Sequence, residues 1–311
     1  MNKTKVVFMG TPDFAVPVLE GLIENYEVVG VVSQPDKRVG RKQVLVNTPI
    51  KEVALKHNIL VLQPEKIRDN YEDILKLNPD IIVTCAYGQI IPSVILDYPK
   101  LGCINVHASL LPKLRGGAPI HKAIIDGYKT TGITIMYMDC KMDSGDIISQ
   151  EEVPILDDDN LEKLHDKLSE VGAKLLIETL PSIIDGSNKR IKQNLDEVTY
   201  AYNIKREEEH IDFSKSSREV FNLIRGLSPI PSANAILDSK EMKIYDSYIL
   251  DKKYDGSTSE IVDIIKDGIV VKTGDGAIVL TSIKPFGKKK MDAKSYVNGA
   301  SRDNLIGKVF E

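Results

Sequence analysis

Asn105 and His107 stand two residues apart at the end of an apolar run, Cys103–His107 (CINVH). In an extended strand that spacing puts both side chains on one face. An amide N–H can hold an oxygen that gains negative charge, and an imidazole can carry a proton near pH 7. A later run, Met138–Asp146 (MDCKMDSGD), offers three carboxylates, Asp139, Asp143 and Asp146. One of them can fix the imidazole's tautomer or stabilise its charged form. An amide, an imidazole and a carboxylate suit the transfer of an acyl group. A single strand histidine is more often a core residue satisfied by a hydrogen bond. Here the Gly/Pro-rich stretch Ala108–Pro119 follows directly, and such a loop can bring backbone N–H groups close to a ligand. No Ser or Cys is paired with a base, and His57, His121, His165 and His210 are scattered without HExxH spacing. Direct transfer without a metal is the expectation.

These residues need a frame. Over the first 150 residues, short Val- and Ile-rich runs alternate with helical patterns. The runs are Lys5–Gly10, Tyr26–Ser33, Ile59–Leu62, Asp80–Ala86 and Cys103–His107; the helices are Ala15–Glu24, Thr48–His57 and Tyr71–Leu77. Alternation of this kind implies βαβ crossovers and a parallel sheet covered on both faces. Thr48 or Asn47 is placed to cap the second helix, with Pro49 in its first turn. Gly132–Met138 and Asp146–Pro154 extend the strands, and Asn160–Ile184 is a long amphipathic helix. The acidic run Asp157-Asp158-Asp159 is expected to cap it, where negative charge suits the dipole. Residues 189–208 are polar and lack apolar periodicity, as a linker would. A helix over Ser216–Leu227 then precedes short β-like runs, Ala233–Leu237, Met242–Leu250, Glu260–Ile265, Ile269–Thr273 and Ala277–Ile283. Their spacing argues for a small antiparallel barrel or sandwich. The expected organisation is an α/β domain over 1–188, a linker over 189–208 and a β domain over 209–311. In such a sheet the ligand site lies at the carboxyl ends of the strands.

The 311 residues carry a net charge of −4, with the acidic excess concentrated in 151–208. No protein-wide basic signal for nucleic acid exists, so an anionic partner must be met by local clusters. Cys85, Cys103 and Cys140 lie in apolar runs without CxxC spacing, which suggests buried thiols in a reducing, cytoplasmic setting. No stretch approaches the length of a membrane span, and MNKTKVVFMG enters a strand without a signal core. The first strand is followed by Gly10-Thr11-Pro12-Asp13-Phe14, neither GxGxxG nor a Walker sequence, so a dinucleotide is not expected.

At Asn105–Ile124 (NVHASLLPKLRGGAPIHKAI) and Thr131–Ile148 (TGITIMYMDCKMDSGDII) the chain resembles the 10-formyltetrahydrofolate-dependent formyltransferases. The likeness runs over the whole chain, through Val6–Leu22, Gln34–Arg41, Ala86–Pro92 and Lys284–Met291. It implies a Rossmann-like formyltransferase domain with a mostly parallel sheet, followed by a small OB-like β-barrel. The family's catalytic Asn, His and Asp fall on Asn105, His107 and Asp143. Its folate-contacting segment falls on Ser109, Leu110, Leu111 and Pro112. Tyr87, Gly88 and Ile90 match a loop that lines the pterin pocket, although a plain strand-to-helix turn explains them equally. The implied cosubstrate is 10-formyltetrahydrofolate, the enzyme a monomer.

The resemblance also implies an acceptor, the α-amino group of charged initiator methionyl-tRNA. Gln34–Lys51 carries Lys37, Arg38, Arg41 and Lys42 against Asp36 alone. It is either a solvated surface loop or a clamp on the acceptor end of the tRNA. Lys288, Lys289 and Lys290, after Gly287, are either a hydrated turn or a track for RNA backbone. Two alternatives stand beside this one. Relatives of the same chemistry formylate amino-sugar nucleotides, and a non-catalytic RNA-binding module would use the loop and barrel alone.

Overall fold

Val6, Val7, Phe8 and Met9 are all fully buried, as a strand covered on both faces must be. In the computed structural model of the protein, which describes residues 3–40, 42–300 and 304–311, they belong to β1 (Lys5–Gly10). Next come α1 (Val16–Asn25), β2 (Glu27–Val32), β3 (Lys37–Val39), β4 (Val44–Val46), α2 (Pro49–Lys56), β5 (Val61–Leu62) and α3 (Glu72–Lys76). Then follow β6 (Ile81–Cys85), α4 (Ser93–Leu96), β7 (Cys103–His107), α5 (Pro119–Ile125), β8 (Thr130–Tyr137), β9 (Ile147–Pro154) and α6 (Leu161–Ile184). After these lie α7 (Ser217–Leu227), β10 (Ala233–Leu237), β11 (Lys240–Leu250), β12 (Ile261–Ile265), β13 (Gly268–Lys272), β14 (Ala277–Pro285), β15 (Met291–Asp292) and α8 (Ala293–Ala300).

The contacts divide the chain into two compact units. One contains Met1–Pro119, Thr130–Pro154 and His165–Tyr202; the other contains Ile120–Lys129, Ile155–Leu164 and Asn203–Glu311. The first is built on a seven-stranded sheet in the order β5-β2-β1-β6-β7-β8-β9. β5, β2, β1, β6 and β7 pair in parallel, and β8 and β9 are antiparallel. The connection between β8 and β9 is too short for a parallel crossover. Strand order reverses between β1 and β6, the position at which a sheet of this kind receives a ligand at the carboxyl ends of its strands. Val7, Met9, Val32, Ile82, Ile91, Ile95 and Cys103 form one core of this unit.

Thr48 caps α2 by accepting the Lys51 N–H at 3.2 Å, with Pro49 in the first turn, as its sequence predicts. The start of α6 differs from expectation. Asn160 Oδ1 accepts the Lys163 N–H at 2.9 Å, because Asn160 directly precedes the first helical residue. Of the acidic run, Asp159 accepts the Leu156 N–H at 2.9 Å and Asp157 pairs with Arg218 at 2.9 Å. The Gln34–Lys51 connection, expected as a loop, is folded into the β3–β4 hairpin. Its strands are three residues long and wholly exposed, so no alternation of buried and exposed positions announces them. Cys85 and Cys103 are buried, and burial pushes the Cys103 thiol up to about 12. Cys140, expected to be buried, is exposed because it lies on the turn after β8.

The second unit is an antiparallel sheet in the order β10-β11-β14-β13-β12, with β15 on β14, consistent with a small barrel. Its core joins Ala233, Ile244, Ile269 and Ile278 from the strands to Val220, Ile224 and Leu227 of α7. That helix opens with a reciprocal cap: Ser216 Oγ accepts the Glu219 N–H, and Glu219 Oε2 accepts the Ser216 N–H at 3.0 Å. Among the described residues no helix is long and apolar enough to cross a membrane.

Candidate active site

β7 ends at the carboxyl edge of the sheet and delivers Asn105, half-buried, and His107, buried, as their spacing requires. The parallel register places Asn105 beside Thr84 of β6. Thr84 Oγ1 donates to Asn105 Oδ1 at 2.7 Å and lies 3.1 Å from the Ile104 carbonyl. With its oxygen engaged, the Asn105 amide keeps its Nδ2 hydrogens to offer.

His107 has a partner on each side of its ring. Nε2 lies 3.1 Å from the Leu114 carbonyl, which can only accept, so Nε2 carries hydrogen. In the neutral ring Nδ1 is then the basic nitrogen, and it faces Asp143 Oδ1 at 3.8 Å. Of the three candidate carboxylates, Asp143 is the one that meets the histidine. Asp146 pairs with Arg190 at 3.0 Å. Asp139 accepts the Cys140 N–H at 2.6 Å, and the hydrogen bonds from Cys140 hold its carboxyl below the usual range. The other oxygen of Asp143, Oδ2, accepts the Gly116 N–H at 2.8 Å. The glycine-rich loop therefore supplies a backbone donor to the carboxylate.

The 109–112 segment is held rigidly from below. Ser109, fully buried, donates to the Lys113 carbonyl at 2.7 Å, and its own carbonyl accepts from Thr134 of β8 at 2.6 Å. Thr134 Oγ1 accepts the Leu111 N–H at 3.1 Å, and Gln150 of β9 donates to the Leu111 carbonyl at 2.9 Å. Leu111 is buried, Leu110 is partly exposed, and the Leu111–Pro112 peptide is cis. Gly132 lets this loop sit close to the sheet: a Cβ there would lie 2.1 Å from the Glu151 carbonyl and 2.6 Å from Leu110.

Tyr87, Gly88 and Ile90 follow β6 at the same edge, and they behave differently from one another. The Tyr87 ring is buried in the core, and burial raises its phenol to about 12. Its outward group is the backbone carbonyl, which accepts from Thr11 at 3.0 Å and from Gln34 at 3.1 Å. Gly88 turns the chain at φ +91°. Ile90 is 89% exposed and lines a cavity of about 310 Å3, broadly open to solvent, together with Lys66, Ile67, Arg68 and Gln89. Asn105, His107 and Asp143 do not line that cavity.

The cationic residues fall in both units. Lys37 and Arg38 lie on β3, and Lys42 lies in the hairpin turn; Arg41 is outside the described residues. In the hairpin, Lys37 pairs with Val46, Arg38 with Leu45 and Val39 with Val44, and all six are exposed. Asp36, at its root, receives Lys51 at 2.5 Å and Gln63 at 2.8 Å. These two donors hold its carboxyl below the usual range. In the second unit, Lys288, Lys289 and Lys290 are exposed on the turn between β14 and β15. There Lys290 Nζ sits 4.5 Å from the Tyr245 ring and Lys288 Nζ 5.6 Å from that of Tyr296.

Sequence patterns did not reveal Thr84, Gln150 or the 189–202 segment. Thr84 had one signal, a hydroxyl inside the otherwise apolar strand IIVTC. The 189–202 segment had none, yet it runs along the loops that carry the site. Ile191 exchanges both backbone hydrogen bonds with Ile147, at 2.8 and 2.9 Å. Thr199 and Ala201 pair with Leu114, Arg115 and Ala118.

An amide, an imidazole and a carboxylate gathered at the carboxyl edge of a mostly parallel sheet have the chemistry that acyl transfer needs. Residues 4–180 match the family described as Formyl transferase, and residues 203–301 match Formyl transferase, C-terminal domain. The chain belongs to the formyl transferase family. Methionyl-tRNA formyltransferase of Bacillus licheniformis is 55% identical over 301 residues, which is 96% of this chain and 95% of that protein. The N-formyltransferase of Helicobacter canadensis, solved in complex with folinic acid and dTDP-3-aminofucose, matches with a TM-score of 0.68 at 22% identity. It covers 92% of this chain and 100% of that one. HypX of Aquifex aeolicus, solved with tetrahydrofolic acid, gives a TM-score of 0.66 at 15% identity, covering 96% of this chain and 47% of HypX. This chain thus spans about half of HypX. At these identities the two structures share the fold.

Proposed function

We propose that this enzyme transfers the formyl group of 10-formyltetrahydrofolate to the α-amino group of methionyl initiator tRNA. The observation that carries the acceptor is the 55% identity with a methionyl-tRNA formyltransferase along nearly the full length of both chains. The chemistry rests on Asn105, His107 and Asp143 at one strand end. Ser109–Pro112 and the 87–90 turn, with the exposed Ile90 beside its cavity, suit the flat, partly apolar body of a folate. The cations of the hairpin and of the 288–290 turn suit the phosphates of tRNA.

In this reading Nδ2 of Asn105 donates to the formyl oxygen as the amine nitrogen bonds to the formyl carbon. His107 Nδ1 takes the proton that the amine must lose and delivers it to N10 of the folate as the N10–carbon bond breaks. Asp143 stabilises the imidazolium between those events. The products are an N-formylated amine and tetrahydrofolate.

The test is a formylation assay with 10-formyltetrahydrofolate and either methionyl initiator tRNA or a UDP-amino sugar. N-formylmethionine on the tRNA supports the reading. Turnover of the sugar alone would transfer the proposal to an amino-sugar nucleotide, and the absence of folate-dependent turnover would leave only an RNA-binding module.

A further inference from the structure

Gln193 lies in the polar segment between α6 and α7, and its side-chain amide has a partner for every hydrogen-bonding position. Oε1 accepts from Arg115 Nε at 3.0 Å and Nη2 at 2.6 Å. Nε2 donates to the carbonyls of Asp143 and Gly145, each at 2.8 Å. It therefore ties the loop after β7, through the buried Arg115, to the connection that presents Asp143. Asp143 and Leu114 both sit at positive φ, +48° and +59°, so neither loop conformation holds itself. A few residues on, Thr199 Oγ1 accepts the Leu114 N–H at 2.9 Å, and the carbonyl of that same Leu114 meets His107 Nε2. Gly116 completes the junction. Its N–H reaches Asp143, and a Cβ there would lie 2.5 Å from the Ala201 carbonyl.

We propose that residues 189–202 are a strap belonging to the active site, in which Gln193 and Thr199 are positioning residues. Gln193 sets the carboxylate on the Nδ1 side of His107, and Thr199 sets the carbonyl on its Nε2 side. This rests on the reading of His107 and Asp143 given above. Only a side-chain amide of this length meets the demand. Glu would turn an acceptor toward two carbonyls, Asn is one methylene short, and Met leaves both carbonyls and the guanidinium without partners. The charged group facing the imidazole is Asp143, from the 138–146 connection; Arg115, from the 109–118 loop, is engaged by the Gln193 amide.

The experiment uses the full chain with 10-formyltetrahydrofolate and methionyl initiator tRNA. Gln193→Met is expected to lower kcat about 10- to 100-fold and to change either KM less than about threefold, since geometry rather than binding is lost. The NMR resonances of the His107 ring should move relative to the wild type, because the carboxylate that faces Nδ1 is no longer held there. Thr199→Val keeps shape and removes the acceptor, and should lower kcat in the same sense. Leu55→Ala, on α2 outside the strap and 53% exposed, should behave as wild type. Wild-type turnover in folded Gln193→Met and Thr199→Val would overturn the proposal. A loss that follows only the folded fraction, with unchanged His107 ring resonances, would overturn it too. If Gln193→Met fails to fold, Thr199→Val decides. His107→Ala separates the two levels: full turnover there removes the underlying site, whereas an inactive His107→Ala beside an active Gln193→Met removes the strap alone.

Discussion

Thr84 Oγ1 and Asn105 Oδ1 lie 2.7 Å apart, donor to acceptor, across paired strands β6 and β7. The hydroxyl therefore decides which end of the amide is left free. A carboxamide has two ends of nearly equal shape and opposite polarity, and only the nitrogen end can stabilise an oxygen that gains charge.

Thr84→Val preserves the strand and the buried shape but removes that choice. We expect kcat to fall about tenfold, with substrate KM values nearly unchanged. Asn105→Ala, which removes the donor itself, should cost about 10²–10³ in kcat. Steady-state formyl transfer at saturating substrate measures both. Losses that simply add in the double variant Thr84→Val, Asn105→Ala would mean that Thr84 acts on something other than the amide.

Gly116→Ala meets two obstacles at once. Residue 116 sits at φ +127°, and the added carbon would lie 2.5 Å from the Ala201 carbonyl. The strain should cost about 1–3 kcal/mol. Calorimetry should show a lower melting temperature, and turnover should fall further than stability does, because the N–H that holds Asp143 Oδ2 is displaced with the backbone. A variant that loses stability but keeps wild-type kcat would show that this hydrogen bond is dispensable.

Asp36 gives a prediction with a definite pH sign. Its carboxyl, held below the ordinary 3.8 by Lys51 and then Gln63, ionises more readily in the folded chain than in the unfolded one. Its contribution to stability is therefore complete above about 3.8 and is lost as pH falls through the lower folded value. The root of the hairpin should loosen in that acid window, seen as NMR shifts at Gln34, Lys51 and Gln63. In Asp36→Asn those shifts should vanish, and their persistence would place the titration elsewhere.

The sheet was legible because its strands are apolar on both faces, so that KVVFMG and IIVTC announce themselves by composition. His107 was legible by its spacing from Asn105 on a strand. Spacing alone left three carboxylates open on one irregular connection; the family resemblance singled out Asp143, and the fold brings that one to the imidazole. Gln193 was invisible. It is a polar residue in a polar stretch, and its importance lies in backbone carbonyls that belong to residues 48 and 50 positions away. The hairpin escaped notice because three-residue strands without a buried face carry no hydrophobic period. Side-chain patterns report burial, and these elements are held by backbone pairing.

That hairpin supports the last prediction. Lys37, Arg38 and Lys42 project from a short two-stranded ribbon rather than a slack loop, and Arg38 is braced by donating to the Gln43 carbonyl at 3.2 Å. Cations fixed on a ribbon meet phosphates with less ordering cost than cations on a flexible chain. Replacing Lys37, Arg38, Arg41 and Lys42 by Ala should weaken binding of charged initiator tRNA and flatten its dependence on salt. Each lost phosphate contact should reduce the slope of log K against log salt by about 0.7–0.9. Replacing Lys288, Lys289 and Lys290 tests the other surface in the same way. The KM for 10-formyltetrahydrofolate should stay at its wild-type value in both variants, since neither surface carries the residues assigned to the folate. An unchanged affinity and slope in the hairpin variant would remove the ribbon from the tRNA-binding surface.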